Sequence, residues 1–241
     1  MKIIFFEVKN LLKGLRISRH TLPLLGHLKP LSLLFIVTFS ITLLLILLET
    51  IILEAFSIDR PATRIISSDQ SKDLFYLLPK YGILFPIVEE MEHRVCLIYS
   101  KLNFSLMIVF LLLSWTPFYY FFGVENYALN LTTKFLICSF IGLFVYSLLS
   151  KRKNIDNALT QFWDKHHTII FYISFVLFGF GHIVNYNLSL SAFLLMPLIT
   201  LHQSVAGIFL GYTRLKYGII SSILLHGMLN ATPILISHFS K

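Results

Sequence analysis

Long apolar blocks constrain this chain more than any other feature. Stretches close to twenty residues long recur from residue 31 onward, separated by short polar connections. A helix needs about 20 apolar residues to cross a bilayer core of about 30 Å, and these blocks fit that length. They are continuous rather than alternating, which argues against a β-barrel. Charged residues make up 13% of the 241 positions and hydrophobic ones 56%, whereas a soluble domain carries about 25% charged residues. The mean hydropathy is +0.77. The expected class is all-α: a polytopic transmembrane helical bundle forming one membrane domain over 31–241.

Seven spans are expected, at about 31–53, 76–100, 103–122, 132–150, 168–186, 190–212 and 216–237. Pro79 and Pro86 could divide the second, giving eight. Residues 1–30 interleave Lys2, Lys9, Lys13, Arg16, Arg19 and Lys29 with Phe5, Phe6, Leu11, Leu12 and Leu15. That pattern reads as an interfacial helix on an anionic leaflet, or else as a frayed basic tail. The linker 54–75 mixes Asp59, Arg60, Arg64, Asp69, Lys72 and Asp73 and is long enough for a short surface helix. The first apolar block begins too late, and runs too long, for a cleavable signal peptide, so it reads as a signal anchor.

The net charge of +8 is read as membrane orientation, not nucleic-acid binding, because Lys and Arg cluster between spans. With the N-terminus inside, one side collects 1–30, Lys101, Lys151, Arg152, Lys153, Lys165, Arg214 and Lys216. The other keeps mainly Arg60, Arg64, Lys72 and Lys241. An N-in, C-out arrangement follows. Cys96 and Cys138 both fall in expected spans and are expected to be free thiols.

Against this apolar background, six polar residues mark a site: Glu89, Glu90, Arg94, His182, His226 and Asn230. An ionisable residue in a membrane helix costs about 2.5–3.5 kcal/mol on insertion scales and usually faces a bundle interior. They form three patterns. In Glu89-Glu90-Met91-Glu92-His93-Arg94, Glu90 and Arg94 are i,i+4 neighbours able to pair, and Glu89 points about 100° away. Adjacent carboxylates in a low-dielectric medium bind protons more tightly than an isolated one, which suits a general base. A buried salt-bridge cluster that only fixes helix packing fits the same residues. In Phe178-Gly179-Phe180-Gly181-His182, Phe178 and His182 share a face, and the glycines allow close helix approach. A satisfied interfacial histidine is the plain alternative. In His226-Gly227-Met228-Leu229-Asn230, the two polar ends project from one face. They could stabilise an oxyanion or form an interhelical hydrogen-bond pair.

In this order and on separate spans, Glu-Glu-x-x-x-Arg, Phe-x-x-x-His and His-x-x-x-Asn resemble the CPBP family. That family holds the CAAX prenyl endopeptidases and bacterial abortive-infection or bacteriocin-immunity membrane proteases. The run from Gly207 to Gly218, leading to His226, is also similar to it. The resemblance covers about 80–235 and leaves 1–75 outside. It implies an intramembrane endopeptidase in a bacterial inner membrane with a cytoplasmic N-terminus. Glu89 would be the general base that activates a water, His182 would help hold that water, and His226 with Asn230 would form the oxyanion hole. Glu90, Arg94 and Phe178 would shape the site. No metal or other cofactor is implied, and the partners would be a membrane-associated peptide or protein and the bilayer. The family usually has apolar residues between the Glu pair and the Arg, where this chain has Met91, Glu92 and His93. His93 is i+4 from Glu89, where it could tune that carboxylate or occupy it.

Three other functions fit parts of the pattern. An inactive member would bind a partner, for example as an immunity protein. A metal-dependent protease could draw on Glu90, His93, His182 and His226, although neither a second Glu-x-x-His nor a His-Glu-x-x-His is present. A transporter could relay protons through the same residues, yet no duplicated halves are evident. Substrate identity and oligomeric state are not legible.

Overall fold

The computed structural model describes residues 2–13, 24–62, 73–115 and 127–240. These are helical throughout, without a β-strand. The helices are α1 (Lys2–Leu12), α2 (Leu28–Ala55), α3 (Leu74–Leu77), α4 (Phe85–His93), α5 (Lys101–Trp115), α6 (Tyr127–Lys151), α7 (Lys153–Gly181), α8 (Leu190–Ile199), α9 (Leu201–Tyr217) and α10 (Ile219–Phe239). Among the described residues, four are long and apolar enough to cross a membrane: α2, Leu129–Lys151 of α6, α7 with its extension to Asn185, and α10. A fifth is available if α8 and α9, bent by 43°, count as one broken span. Seven to eight spans are not reached within these residues. The expected span 103–122 is represented by the shorter apolar α5, and 116–126 lie outside the described residues. So do 14–23 of the basic N-terminal segment, and 63–72 of the charged linker.

The expected span 76–100 is instead a series of short helical pieces. α3 runs into a π-helical turn at Leu78–Leu84, then α4, then a 3-10 turn at Val95–Leu97. The prolines explain the breaks. Pro79 and Pro86 each sit in the first turn of a piece, where a missing N–H costs nothing. At the end of the π turn the Phe85 N–H reaches back five residues to the Lys80 carbonyl.

Residue contacts divide the chain into two compact units, Met1–Ile87 with Thr168–Lys241, and Val88–His167. In the first unit α2 buries Leu31, Leu34, Thr38, Glu49 and Leu53 along one stripe and exposes Leu43, Leu44, Leu47 and Ile51. α2 lies against α9 and α10. α10 meets the π turn so closely that a Cβ on Gly227 would stand 2.5 Å from the Gly82 carbonyl oxygen. α9 passes to α10 through Gly218, at φ 95° and ψ 172°, a conformation in effect reserved for glycine. The break between α8 and α9 falls at Thr200, three residues after Pro197, and the Thr200 hydroxyl donates to the Met196 carbonyl at 2.7 Å. The N-terminal helix α1 is held against α9. Lys216 Nζ pairs with Glu7 Oε1 at 2.6 Å, the Tyr212 hydroxyl donates to the other Glu7 oxygen, and Phe5 meets Phe209 edge-on.

The second unit is built on the pairing of α5 with α6. Gly142 lets them meet: a Cβ there would collide with Val109 and stand 3.5 Å from the Ser105 carbonyl oxygen. Ser100 caps α5 through the Asn103 N–H. Asp156 gathers the Tyr99 hydroxyl at 3.0 Å and Lys101 at 3.2 Å. Cys96 and Cys138 are free and buried.

Candidate functional site

Helix geometry alone accounts for the charged motif. Glu90 and Arg94 are one turn apart, and Arg94 Nη1 meets Glu90 Oε1 at 3.1 Å with neither side chain exposed. The Arg94 N–H also donates to the Glu90 carbonyl, so the turn persists past the end of α4. Glu89 is half-buried on the preceding position. The residues that depart from the family pattern have partners of their own. Glu92, buried, accepts from the Trp115 indole N–H. His93 Nε2 lies 3.7 Å from Glu92 Oε1. All of these residues belong to the second unit.

The two histidine motifs belong to the first unit, where they converge on one ring. Phe178 stands edge-on to His182 at 4.7 Å between centroids and edge-on to His226 at 5.5 Å. Two helices, α7 and α10, thus deliver imidazoles to opposite contacts of a single buried phenyl. His182 Nδ1 is 2.7 Å from the Phe178 carbonyl oxygen. A carbonyl only accepts, so Nδ1 carries the proton, and in the neutral ring Nε2 presents a lone pair. Such a ring can hold a water by accepting its hydrogen. The position of α7 is set at Gly179, where a Cβ would lie 2.9 Å from Ser204 Cα on α9 and closer still to its hydroxyl. The close approach expected of this glycine motif is therefore made, at Gly179. Asn230 is tethered: its amide donates to the Tyr81 carbonyl in the π turn at 3.1 Å. One amide hydrogen thus fastens α10, and the second is what Asn230 has to offer a ligand.

The sequence reading passed over Glu49 and His202. Glu49 is 2% exposed near the end of α2. Arg60 donates to its Oε1 through both Nε and Nη2, and His202 Nδ1 lies 3.8 Å from its Oε2. The signal was present, because an acid within the apolar run 31–53 and a histidine within 190–212 obey the rule that singled out the motif residues. Among the described residues no group of three or more His, Cys, Asp and Glu side chains is arranged to hold a metal ion.

No protein-family model, curated protein or solved structure matches this chain.

Proposed function

We propose that the chain is a multi-pass membrane endopeptidase of the CPBP type, acting on a peptide bond of a membrane-associated peptide or protein. The observation that carries the reading is the convergence of Phe178, His182 and His226 from separate helices, with the His182 tautomer fixed by the Phe178 carbonyl. The buried Glu90–Arg94 pair supports it further, since it commits Glu90 to structure and leaves Glu89 as the carboxylate for chemistry. In the reaction, Glu89 takes a proton from a water held by His182 Nε2, and the hydroxide adds to the scissile carbonyl. His226 and the second amide hydrogen of Asn230 stabilise the oxyanion. Glu89 then returns the proton to the leaving amine as the C–N bond breaks. The membrane arrangement proposed with it has seven to eight crossings and a cytoplasmic N-terminus, in a bacterial inner membrane.

A non-catalytic reading, with the chain acting as a membrane partner or immunity protein, is favoured by one observation. Asn230 already serves as a packing tether to Tyr81.

The test is cleavage of a pool of membrane-associated peptides by purified protein in liposomes, wild type against Glu89→Gln, each with and without EDTA. The expected result is cleavage that survives EDTA and falls by at least 100-fold in the variant, a general base being worth about 10²–10⁴. Loss of cleavage in EDTA would favour a metal mechanism, and no cleavage by folded wild type would favour the non-catalytic reading.

A further inference from the structure

Glu49 and His202 have the form of a carboxylate–imidazole dyad. Arg60 occupies Glu49 Oε1 with two N–H groups, which leaves Oε2 facing His202 Nδ1 at 3.8 Å. Both of those atoms are buried and neither has a hydrogen-bond partner. A small rotation of either side chain would close the gap, and catalytic hydrogen bonds are often this long before substrate arrives. A carboxylate already held by a guanidinium orients an imidazole rather than taking its proton. The ring so oriented carries hydrogen on Nδ1 and a lone pair on Nε2.

The same configuration is fixed independently at His182 by the Phe178 carbonyl. The two rings are neighbours, each within the electrostatic field of the other. The fold brings them together through the Gly179–Ser204 contact, which lies three residues before His182 and two after His202. Their elements end or begin at a common level, α7 giving way to the turn His182–Asn185 and α9 starting at Leu201. His202 remains 18% exposed, so a ligand can reach it.

We propose that His202 is a second water-holding imidazole of the hydrolytic site, with Glu49 and Arg60 as the residues that position it. The inference rests on the hydrolytic reading above. No bond to carbon forms or breaks at His202. It accepts a hydrogen bond from the attacking water or from a second water queued behind it, and the proton stays with Glu89.

Two measurements on the full-length protein in detergent micelles separate this inference from the reading beneath it. The first is ¹⁵N NMR of histidine-labelled protein, assigned with His182→Gln and His202→Gln. The His202 signal is expected to report hydrogen on Nδ1 in wild type and in Glu49→Asp, and a mixture of tautomers in Glu49→Leu. Hydrogen on Nε2 in wild type would overturn the dyad whatever the protein cleaves. The second is peptide cleavage. His202→Gln is expected to lower kcat by about 10–100-fold, the range typical of residues that orient a site, with KM within twofold and unfolding unchanged. Glu49→Leu should match it, and Glu49→Asp should recover part. A His202→Gln protein with wild-type kcat would overturn the role in catalysis. Wild type that cleaves nothing would remove the hydrolytic reading and this role with it, and the tautomer would still decide the dyad.

Discussion

A guanidinium and a carboxylate with no exposed surface, as at Arg94 and Glu90, form an ion pair that stands or falls as a unit. Removing one partner leaves the other charge buried, at a cost of about 3–5 kcal/mol, while replacing both with apolar side chains is often close to neutral. Arg94→Met should therefore lower stability by about that amount in an SDS unfolding titration, and adding Glu90→Leu should restore most of it. The Lys101–Asp156 pair makes the contrast. Its lysine is 34% exposed, and surface pairs contribute about 0–1 kcal/mol. The Glu90–Arg94 contact was legible in the sequence because i,i+4 spacing on one helix dictates it. The Glu92–Trp115 contact was not, because it joins residues from different helices, and nothing local in the sequence encodes it.

At the scale of elements, hydropathy located α2, α6, α7 and α10, since each carries a run long enough to outweigh its ends. It failed over 76–100, where Pro79 and Pro86 interrupt the hydrogen-bond ladder inside a stretch that is apolar overall. It also passed over the bend at Thr200, where the expected span 190–212 turns by 43°. The small residues were more informative. The glycine at 179 marked a helix contact, and the structure gives that contact its partner in Ser204. Gly179→Ala should force α7 and α9 apart and cost about 1–3 kcal/mol, the usual range for overpacking. The same SDS titration would measure the loss, and Ser204→Gly in the same chain should return part of it. An unchanged midpoint would mean that α9 yields at that point without penalty.

For the whole molecule, the polar residues of the proposed site could be picked out one by one, but not their company. His182 and His226 share Phe178, a fact of tertiary packing that two separate four-residue spacings cannot contain. The docking of α1 is more distant still, since Glu7 and Lys216 are 209 positions apart. The basic N-terminal segment looked like a helix for the lipid surface, and in the structure its Glu7 is spent on α9.

The π turn at Leu78–Leu84 acts as a one-residue spacer in front of the glutamates. A π turn holds one residue more than an α turn, so a chain lacking Ile83 could keep its helix and simply run in a different frame. Successive helical residues are about 100° apart, and Glu90 would then take the bearing that Glu89 has now. Because Glu90 is bound to Arg94, the carboxylate at that bearing would arrive already neutralised. Deleting Ile83 should thus leave helical circular dichroism and membrane insertion intact while cleavage is lost. Activity would here be a matter of register, set by a single exposed isoleucine that need touch nothing in the site.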